Sequence, residues 1–370
     1  MPSQGTELCA VVEYMYSLEV LLSTFGDPFL GDRLEKIAFN ALPATFSPDM
    51  WVHQYDQQAN LVICCDIGDI NDPKNRVYTC NGPRSNLFGL EPNYFYCAAN
   101  MHQGWPKLTS HLWMRTDDGG FAAAILAPGM VEDKIGDVKV EIVLNTDYPF
   151  TEELEFIVMV DKPIKFPLKI RIPKWAIDPV VVVEDSKIGA RPGEFHCIKK
   201  LWKGTSKIEV KLPMRVRLDR RYNNSIAINR GPLVYSLKIG EKWEKIPPAE
   251  DLASYRKDKE VSKKYLDSEV YPTTPWNYAL DINEDNPQSS IKFKVKKLDG
   301  MVFSPEGAPI EARVKGRKIP EWKIHKNAAA EPPVSPVSSK EDIEELILIP
   351  YGSTNLRITE FPVLKKDSKR

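Results

Sequence analysis

Hydrophobic positions in the first forty residues recur every three or four residues, which is the spacing of one face of an α-helix. Gly26, Asp27 and Pro28 interrupt this pattern and Pro43 ends it. The pattern predicts a helical hairpin over residues 7–42 with one short break. A further helix is predicted around residues 106–114. The repeating face consists of Leu8, Val11, Val12, Met15, Leu18 and Leu22 before the break, and of Leu30, Leu34, Ile37, Ala38 and Ala41 after it.

From about residue 115 onward, the period of the apolar residues changes from that of a helix to that of a strand. Apolar and charged residues alternate, which is typical of half-buried antiparallel strands. Short strands of this kind, separated by turn residues, predict a β-sandwich architecture. The predicted strands lie at residues 138–144, 168–172, 208–212, 215–239, 291–295, 345–350 and 356–359.

Two segments carry neither pattern. Residues 46–92 are rich in Asn, Asp, Gly and Pro around a short apolar run at 61–65, and so long a loop is uncommon in a compact domain unless it is functional. Residues 331–340 have the composition of a flexible connection. One helical hairpin and one long loop bury little surface, so we expect the N-terminal part to be the end of a helical domain that begins outside this chain.

Composition and charge exclude several classes of protein. The 370 residues are 42% hydrophobic and carry a formal net charge of -1, so nothing indicates a nucleic-acid partner. We see no apolar run near the roughly 20 residues that span a bilayer, and no signal peptide, so a cytoplasmic location is the default expectation and no membrane partner is expected.

The cysteines are too sparse for a disulfide framework, because there are six in 370 residues, so reduced thiols or a metal site are favoured. Cys64 and Cys65 are neighbours on a predicted strand, so their side chains point to opposite faces and one of them is expected in the core. Cys80 and Cys197 have no partner spacing and are expected to be structural.

One short segment, residues 93–107, combines thiol, imidazole, carboxamide and aromatic side chains with few charges. Loops of this composition usually build sites, because their polar groups can be desolvated among rings that shape a pocket. His102 is a candidate general acid or substrate ligand. The alternative is a buried aromatic turn in which Cys97 fills space. Glu91, just before the segment, is a candidate catalytic carboxylate.

Glu7 and Cys9 place a carboxylate and a thiol two residues apart at the predicted start of the first helix. Zinc accepts both donors. Residues i and i+2 do not share a helical face, so a chelate here requires a non-helical first turn. The alternative is an N-terminal Glu that favours the helix dipole, beside a buried Cys.

Seven motifs spread over nearly the whole chain share their order and residue types with one family. They are GTELCAVVE at 5–13, QYDQQ at 54–58, NLFGLEPN at 86–93, ANMHQGWPK at 99–107, FPLKIRIPKW at 166–175, RGPLVY at 230–235 and PYGSTNLRIT at 350–359. Together they resemble glycoside hydrolase family 127 (GH127), the β-L-arabinofuranosidase-like proteins.

The resemblance implies an α+β multidomain fold, an (α/α)6 barrel followed by two β-sandwich domains. This chain would hold the C-terminal part of the barrel (1–114), the first sandwich (115–217), the second sandwich (218–340), and returning strands with the tail (341–370). In the family the final strands return to the first sandwich, so residues 341–365 are expected to pack there.

The resemblance also implies a chemistry. Active members hydrolyse β-L-arabinofuranosides with retention, using a zinc-bound cysteine nucleophile and a glutamate acid/base. Glu7, Cys9 and Cys97 match zinc ligands, whereas Tyr96 stands at the position of the nucleophilic cysteine. A phenol has a pKa near 10 and binds zinc less readily than a thiol, so we expect the normal mechanism to fail at Tyr96. The candidate substrate-binding residues are Asn100, His102 and Gln103.

A second departure concerns the acid/base, which in the family precedes the Glu-x-Cys motif, while only six residues precede Glu7 here. We expect an N-terminally truncated product, a separate polypeptide that supplies the missing part of the barrel, or a homodimer. Two hypotheses follow. The chain is a glycoside hydrolase for L-arabinose-containing glycans that is inactive in isolation, or it is a non-catalytic carbohydrate-binding or degenerate paralogue.

Overall fold

The protein is described here by a computed structural model covering residues 1–69, 71–72, 81–247, 264 and 266–366. The described chain is mostly β-sheet, with α1 (Leu8–Phe25), α2 (Pro28–Lys36) and α3 (Tyr96–Ser110) in its first third. Other helical turns lie at Ile37–Ala41, Pro43–Thr45, Tyr222–Asn224, Pro287–Ser290 and Tyr351–Ser353. The strands are β1 (Thr6–Glu7), β2 (Asp56–Gln57), β3 (Asn60–Leu61), β4 (Trp113–Arg115), β5 (Phe121–Ala123), β6 (Gly129–Ile135), β7 (Val138–Asn145), β8 (Glu153–Ile172), β9 (Val180–Val183), β10 (Ser186–Gly189), β11 (Glu194–Lys211), β12 (Val216–Arg220), β13 (Ile226–Arg230), β14 (Leu233–Leu237), β15 (Glu241–Ile246), β16 (Asp267–Pro272), β17 (Tyr278–Asp281), β18 (Lys292–Val295), β19 (Ile310–Lys318), β20 (Ile324–His325), β21 (Ala328–Ala329), β22 (Ile343–Pro350) and β23 (Arg357–Ile358).

The predicted helical hairpin is confirmed as α1 and α2. Gly26 ends α1 in the left-handed conformation (φ 63°), and its N–H donates to the carbonyl of Leu22. Asp27 then caps α2, because its side chain accepts a hydrogen bond from the N–H of Phe29, and Pro28 occupies the first helical position. The break in the hydrophobic pattern is therefore a helix end followed directly by a helix start.

α1 has the predicted length but is more apolar than we expected. Its 18 residues are enough, by length and composition, to cross a membrane, so the expectation that no apolar run approaches that length is wrong for this helix. Its apolar face, which includes Leu8, Val12 and Met15, packs in one cluster with Leu108 of α3. That packing is typical of a core helix in a globular domain.

The first sheet follows α3 and contains β4 to β11. Its strand order is β10-β9-β11-β8-β5-β4, with β7 also pairing with β8 and β6 with β7. β8 and β11 pair along almost their whole lengths, with a bulge between Trp202 and Gly204. Trp202 is fully buried there, and its indole N–H donates to the carbonyl of Phe166 at 2.9 Å. The predicted strands at 138–144, 168–172 and 208–212 all lie in this sheet.

The second sheet has the strand order β12-β13-β14-β22-β19-β17, with β18 on β19. The expectation that residues 341–365 return to the first sandwich (115–217) is wrong for their strand pairing. β22 pairs with β14 on one side and β19 on the other, and Phe361 bridges to Ile226. The reason is that alternate residues of β22, Leu346 and Leu348, are buried in this sheet's core, so both its apolar face and its backbone hydrogen bonds are satisfied there.

Residues 331–340 are irregular, as their composition predicts, but they are held in place rather than flexible. The side chains of Asn223 and Asn224 donate to the carbonyls of Pro332 and Ser335. The N–H of Val337 donates to the carbonyl of residue 363 at 2.8 Å. Tertiary hydrogen bonds therefore override the local composition.

A buried ion network joins α2 to the first sheet. Arg171 of β8 is fully buried and pairs with both Asp32 and Glu35 of α2. The hydroxyl of Tyr148 donates to the second oxygen of Glu35 at 2.5 Å, and the N–H of Leu126 donates to the first at 2.6 Å. The network therefore ties α2 to the first sheet.

Candidate metal centre

The first turn of α1 is entered by an extended residue. Glu7 has φ -68° and ψ 138°, and it pairs with Asp56 in the two-stranded ladder of β1 and β2. The N–H of Leu8 then donates to the carbonyl of Tyr55 at 2.9 Å. Because Glu7 lies outside the helix, its carboxylate can turn towards the same side as Cys9. Chelation by Glu7 and Cys9 requires a non-helical start to the first helix, and the structure has one.

The second half of the centre comes from α3, where we expected a loop. That expectation is wrong for residues 96–105, because α3 begins at Tyr96 and continues through Pro106. The helix predicted around residues 106–114 is confirmed only as the last turn of α3, which ends at Ser110, and residues 113–115 form β4. The buried residues Cys97, Gly104 and Leu108 recur with helical spacing and pack inwards. Gly104 lies against Leu42, where an added Cβ would come within 2.8 Å of a methyl group. This packing outweighs the cost of one proline inside the helix.

Glu7, Cys9 and Cys97 converge in one cluster. The two Sγ atoms lie 3.2 Å apart, and Sγ of Cys97 lies 3.9 Å from Oε1 of Glu7. One ligand atom from each of the three residues lies within 4.8 Å of the others. Tetrahedral zinc with bonds of about 2.3 Å to sulfur holds its ligand atoms about 3.5–3.8 Å apart. The donor set of two thiols and a carboxylate therefore fits zinc, and the spacings of 3.2 and 3.9 Å lie within about 0.3 Å of the range that zinc requires.

Burial makes this cluster unfavourable for uncompensated negative charge. It raises the pKa of the Cys97 thiol and that of the Cys9 thiol, while a hydrogen bond from Asn100 acts in the opposite direction on Cys9. A divalent cation reverses this balance, because it binds thiolates and neutralises their charge. Both cysteines also lie in the first turn of a helix, where the helix dipole favours anions.

Two further residues of the centre were not assigned from sequence, although both belong to the QYDQQ motif. The phenol of Tyr55 hydrogen-bonds to Glu7, and burial raises its pKa. Its ring packs edge-on against Tyr94, with centroids 5.6 Å apart. Burial, reinforced by the neighbouring Glu7, raises the pKa of Asp56 to about 6. The QYDQQ motif could have pointed to both residues, but Asp56 is its one residue of a type common in catalysis or metal binding.

The QYDQQ segment is held by the C-terminal part of the chain. Gln57 donates to the carbonyl of Ala41 and accepts from the hydroxyl of Tyr351 at 2.8 Å. Arg357 is fully buried and donates to the carbonyls of Gln58 and Ala44. Its guanidinium also lies 4.7 Å from the centroid of the Tyr351 ring. The PYGSTNLRIT motif therefore positions β2, and β2 in turn positions Glu7.

The candidate substrate-binding residues differ in their placement. Asn100 lies one turn after Cys97, hydrogen-bonds to Cys9, and accepts from the amide of Gln103 at 3.4 Å. His102 is exposed, and its Nδ1 lies 3.2 Å from the carbonyl of residue 98 in its own helix. Tyr96 is 56% exposed, with its ring 4.5 Å from that of Phe95. Asn100 therefore contacts the cluster of Glu7, Cys9 and Cys97 directly, Gln103 contacts it through Asn100, and His102 points into solvent.

Other residues singled out from sequence lie apart from the cluster. Glu91 is half-buried and outside the group of three potential ligands found in the described part of the chain. Cys64 is fully buried and Cys65 half-buried, so one of the two lies in the core as expected. The strand predicted for them is not formed, because β3 ends at Leu61 and Cys64 makes only a single bridge to Val270. Cys197 is exposed rather than structural in the core, because its strand position faces solvent. Cys80 lies outside the described residues.

Comparison with known proteins agrees with this fold. Residues 124–214 match the family model of the β-L-arabinofuranosidase GH127 middle domain. No curated protein matched the chain. A solved glycoside hydrolase superposes with a TM-score of 0.66 at 17% identity, covering 98% of this chain and 52% of the other.

Two GH127 structures superpose similarly. A β-L-arabinofuranosidase from Geobacillus stearothermophilus T6 has a TM-score of 0.65 at 14% identity, covering 97% of this chain and 49% of the other. Another GH127 β-arabinofuranosidase has a TM-score of 0.64 at 16% identity, covering 98% and 50%. The chain therefore spans about half the length of the proteins whose fold it shares, and the cluster of Glu7, Cys9 and Cys97 lies outside the residues that match the family model.

Proposed function

We propose that this GH127-like chain carries the thiol and carboxylate side of a glycoside hydrolase active site for L-arabinose-containing glycans. The observation that carries the proposal is the convergence of Glu7, Cys9 and Cys97 from two helix starts. In this proposal α1 to α3 are the C-terminal part of an (α/α)6 barrel, and the two sheets belong to two β-sandwich domains.

Zinc is the proposed cofactor, with Glu7, Cys9 and Cys97 as its ligands. When bound, it would keep the thiols ionised at neutral pH and supply positive charge beside the sugar. Around it, the phenol of Tyr55 holds the Glu7 carboxylate, and Asn100 holds Cys9. Asn100 and Gln103 present carboxamides of the kind that bind sugar hydroxyls.

As an isolated chain the protein is proposed to be inactive. Tyr96 takes the position of the nucleophile, and a phenol is a poorer zinc ligand than the thiol that the resemblance implies at this position. No residue of this chain is assigned the acid/base role. In this chain the three residues that would hold zinc are therefore present, whereas the two groups that would break the glycosidic bond are not assigned to it.

The zinc proposal is tested by metal analysis of purified protein. We expect about one zinc per chain, competed by a chelator, and at least a tenfold loss of affinity in Cys9→Ser and in Cys97→Ser. Cys197→Ser, which changes an exposed cysteine on β11, is the matched control and should bind normally. Wild-type protein that binds no zinc after reduction would overturn the assignment.

The role of position 96 is tested by restoring a thiol. A 4-nitrophenyl β-L-arabinofuranoside has a good leaving group, so its cleavage depends little on a general acid. We expect no turnover by the wild type, slow turnover or a burst by Tyr96→Cys, and none by the matched control Tyr96→Ser. A folded, zinc-loaded Tyr96→Cys variant that remains inert would refute the assignment of this position.

A non-catalytic carbohydrate-binding role is the second candidate. The rings of Tyr94, Phe95 and Tyr96 are each about half exposed and lie next to the cluster. Exposed rings offer flat faces on which sugar rings stack. Calorimetry with L-arabinose-containing oligosaccharides favours this role if binding occurs without hydrolysis and weakens in Tyr96→Ala. Absence of binding would exclude it.

A further inference from the structure

The two thiols of the cluster are close enough to react with each other. The Sγ atoms of Cys9 and Cys97 lie 3.2 Å apart, and a disulfide requires them to move about 1.2 Å closer, to about 2.05 Å. Cys9 is half-buried and Cys97 is buried, so a reagent reaches the thiol of Cys9 first and the thiol of Cys97 is shielded from solvent. This order suits exchange through a mixed disulfide.

We propose that Cys9 and Cys97 form a reversible disulfide that links the first turns of α1 and α3. The residues are 88 positions apart in sequence, so the bond would close a long loop. The co-reactant is a small-molecule disulfide. The thiolate of Cys9 attacks one of its sulfurs and releases one thiol. Cys97 then attacks the sulfur of Cys9 and releases the second thiol. Two protein thiols are oxidised, one disulfide is reduced to two thiols, and the released thiols carry the protons.

Because position 96 is a tyrosine, Cys9 and Cys97 have no neighbouring thiol at that position with which to exchange. In the described part of the chain, the potential ligands of the cluster are two thiols and one carboxylate, with no third thiol to compete as an exchange partner. Asn100 hydrogen-bonds to Cys9 from the next turn of α3 and holds it towards Cys97. α1 and α3 pack along a shared apolar face, so the sulfurs are brought together by the fold rather than by chance encounter.

The disulfide has a consequence for the metal, and this part rests on the proposed function. Zinc binds thiolates, whereas disulfide sulfurs carry no charge and are poor ligands. The reduced pair would therefore bind zinc and the oxidised pair would not, and bound zinc would protect both thiols from oxidation. The same two atoms would make metal loading dependent on the redox state.

The test uses the full chain, treated with a chelator and then incubated in glutathione buffers from fully reduced to fully oxidised. Peptide mapping under non-reducing conditions should find a Cys9–Cys97 cross-link, and intact mass should fall by about 2 Da per link. Cys97→Ser should instead trap a glutathione adduct on Cys9, and Cys197→Ser should cross-link as the wild type does. The oxidised form should unfold several degrees higher than the reduced form, because the bond restricts the unfolded chain.

Three outcomes are decisive. A Cys9–Cys97 link that forms in folded protein, and less in urea-unfolded protein, supports the proposal. Folded protein that stays fully reduced at these positions under oxidised glutathione overturns it, and this readout does not depend on any variant folding. If the link forms but reduced protein binds no zinc, the disulfide stands and the zinc proposal fails, so the two are distinguished.

Discussion

The ion network between α2 and the first sheet offers the sharpest test of how the helical part is held. The perturbation is Glu35→Gln, which keeps the shape of the side chain and removes its charge. Glu35 is fully buried and accepts from Arg171, Tyr148 and Leu126. The amide oxygen can still accept from Arg171 and Leu126, and the amide NH2 can donate to the hydroxyl of Tyr148, which then acts as the acceptor. What is lost is the charge that compensates the buried guanidinium.

The expected magnitude follows from what remains. Breaking a buried pair outright costs about 3–5 kcal/mol, because an uncompensated charge stays behind. Here Asp32 still pairs with Arg171, and its side chain is only 13% exposed. We therefore expect Glu35→Gln to lower the free energy of unfolding by about 2–4 kcal/mol. The double variant Arg171→Met with Glu35→Leu should cost clearly less than the sum of the single variants, since it removes both the buried guanidinium and the buried carboxylate that each single variant leaves unpaired. Asp32 loses Arg171 in this variant but keeps its hydrogen bond from the N–H of Lys174.

The assay is urea unfolding followed by tryptophan fluorescence and circular dichroism, with the change read from the midpoint at unchanged slope. The matched control is Glu132→Gln, which removes a surface pair with Lys139 in which both side chains are about half exposed. It should cost less than about 0.5 kcal/mol. If Glu35→Gln costs no more than this control, or if the double variant costs the full sum, the argument that this network docks α2 is refuted.

Three further predictions follow from other buried groups. Burial raises the pKa of Glu19 to about 7, so folding takes up a proton between about pH 4.5 and 7, and the free energy of unfolding falls as the pH rises through that window. Glu19→Gln should reduce the difference in unfolding free energy between pH 5 and pH 8, measured by urea titration, by at most about 3 kcal/mol. Arg357→Met should lower the free energy of unfolding by about 3 kcal/mol or more, because it leaves buried carbonyls unpaired around the segment that holds β2. It should also weaken zinc binding measured by chelator competition, and unchanged zinc affinity would contradict this link. Gly31→Ala should lower the melting temperature, because its Cβ would come within 2.6 Å of the guanidinium of Arg171, whereas Gly189→Ala, with nothing within 4 Å, should not.

The sequence predicted those parts of the fold in which local pattern and packing agree. The period of apolar residues located α1 and α2, and Gly26, Asp27 and Pro28 located the break between them. Alternation located strands in both sheets. These predictions succeeded because a helix face or a strand face that is apolar in sequence has few ways to be buried.

The errors arose where distant residues decide the local structure. Residues 96–105 look like a loop by composition, yet they form α3 because Cys97, Gly104 and Leu108 pack inwards. Residues 331–340 look flexible, yet asparagine side chains from another loop hold them. The sequence of β22 does not indicate which sheet it joins, whereas the structure places it between β14 and β19, where Leu346 and Leu348 are buried.

For the candidate site, sequence alone determined the residue types and the resemblance that linked them. From sequence we could infer that Glu7 and Cys9 bind one metal ion together only if the helix starts after Glu7. Only the tertiary structure decided that this is so, that Cys97 lies 3.2 Å from Cys9, and that His102 points away. The physical reason is that two thiols 88 residues apart meet only through the packing of α1 on α3, and no local pattern encodes a distance between helices.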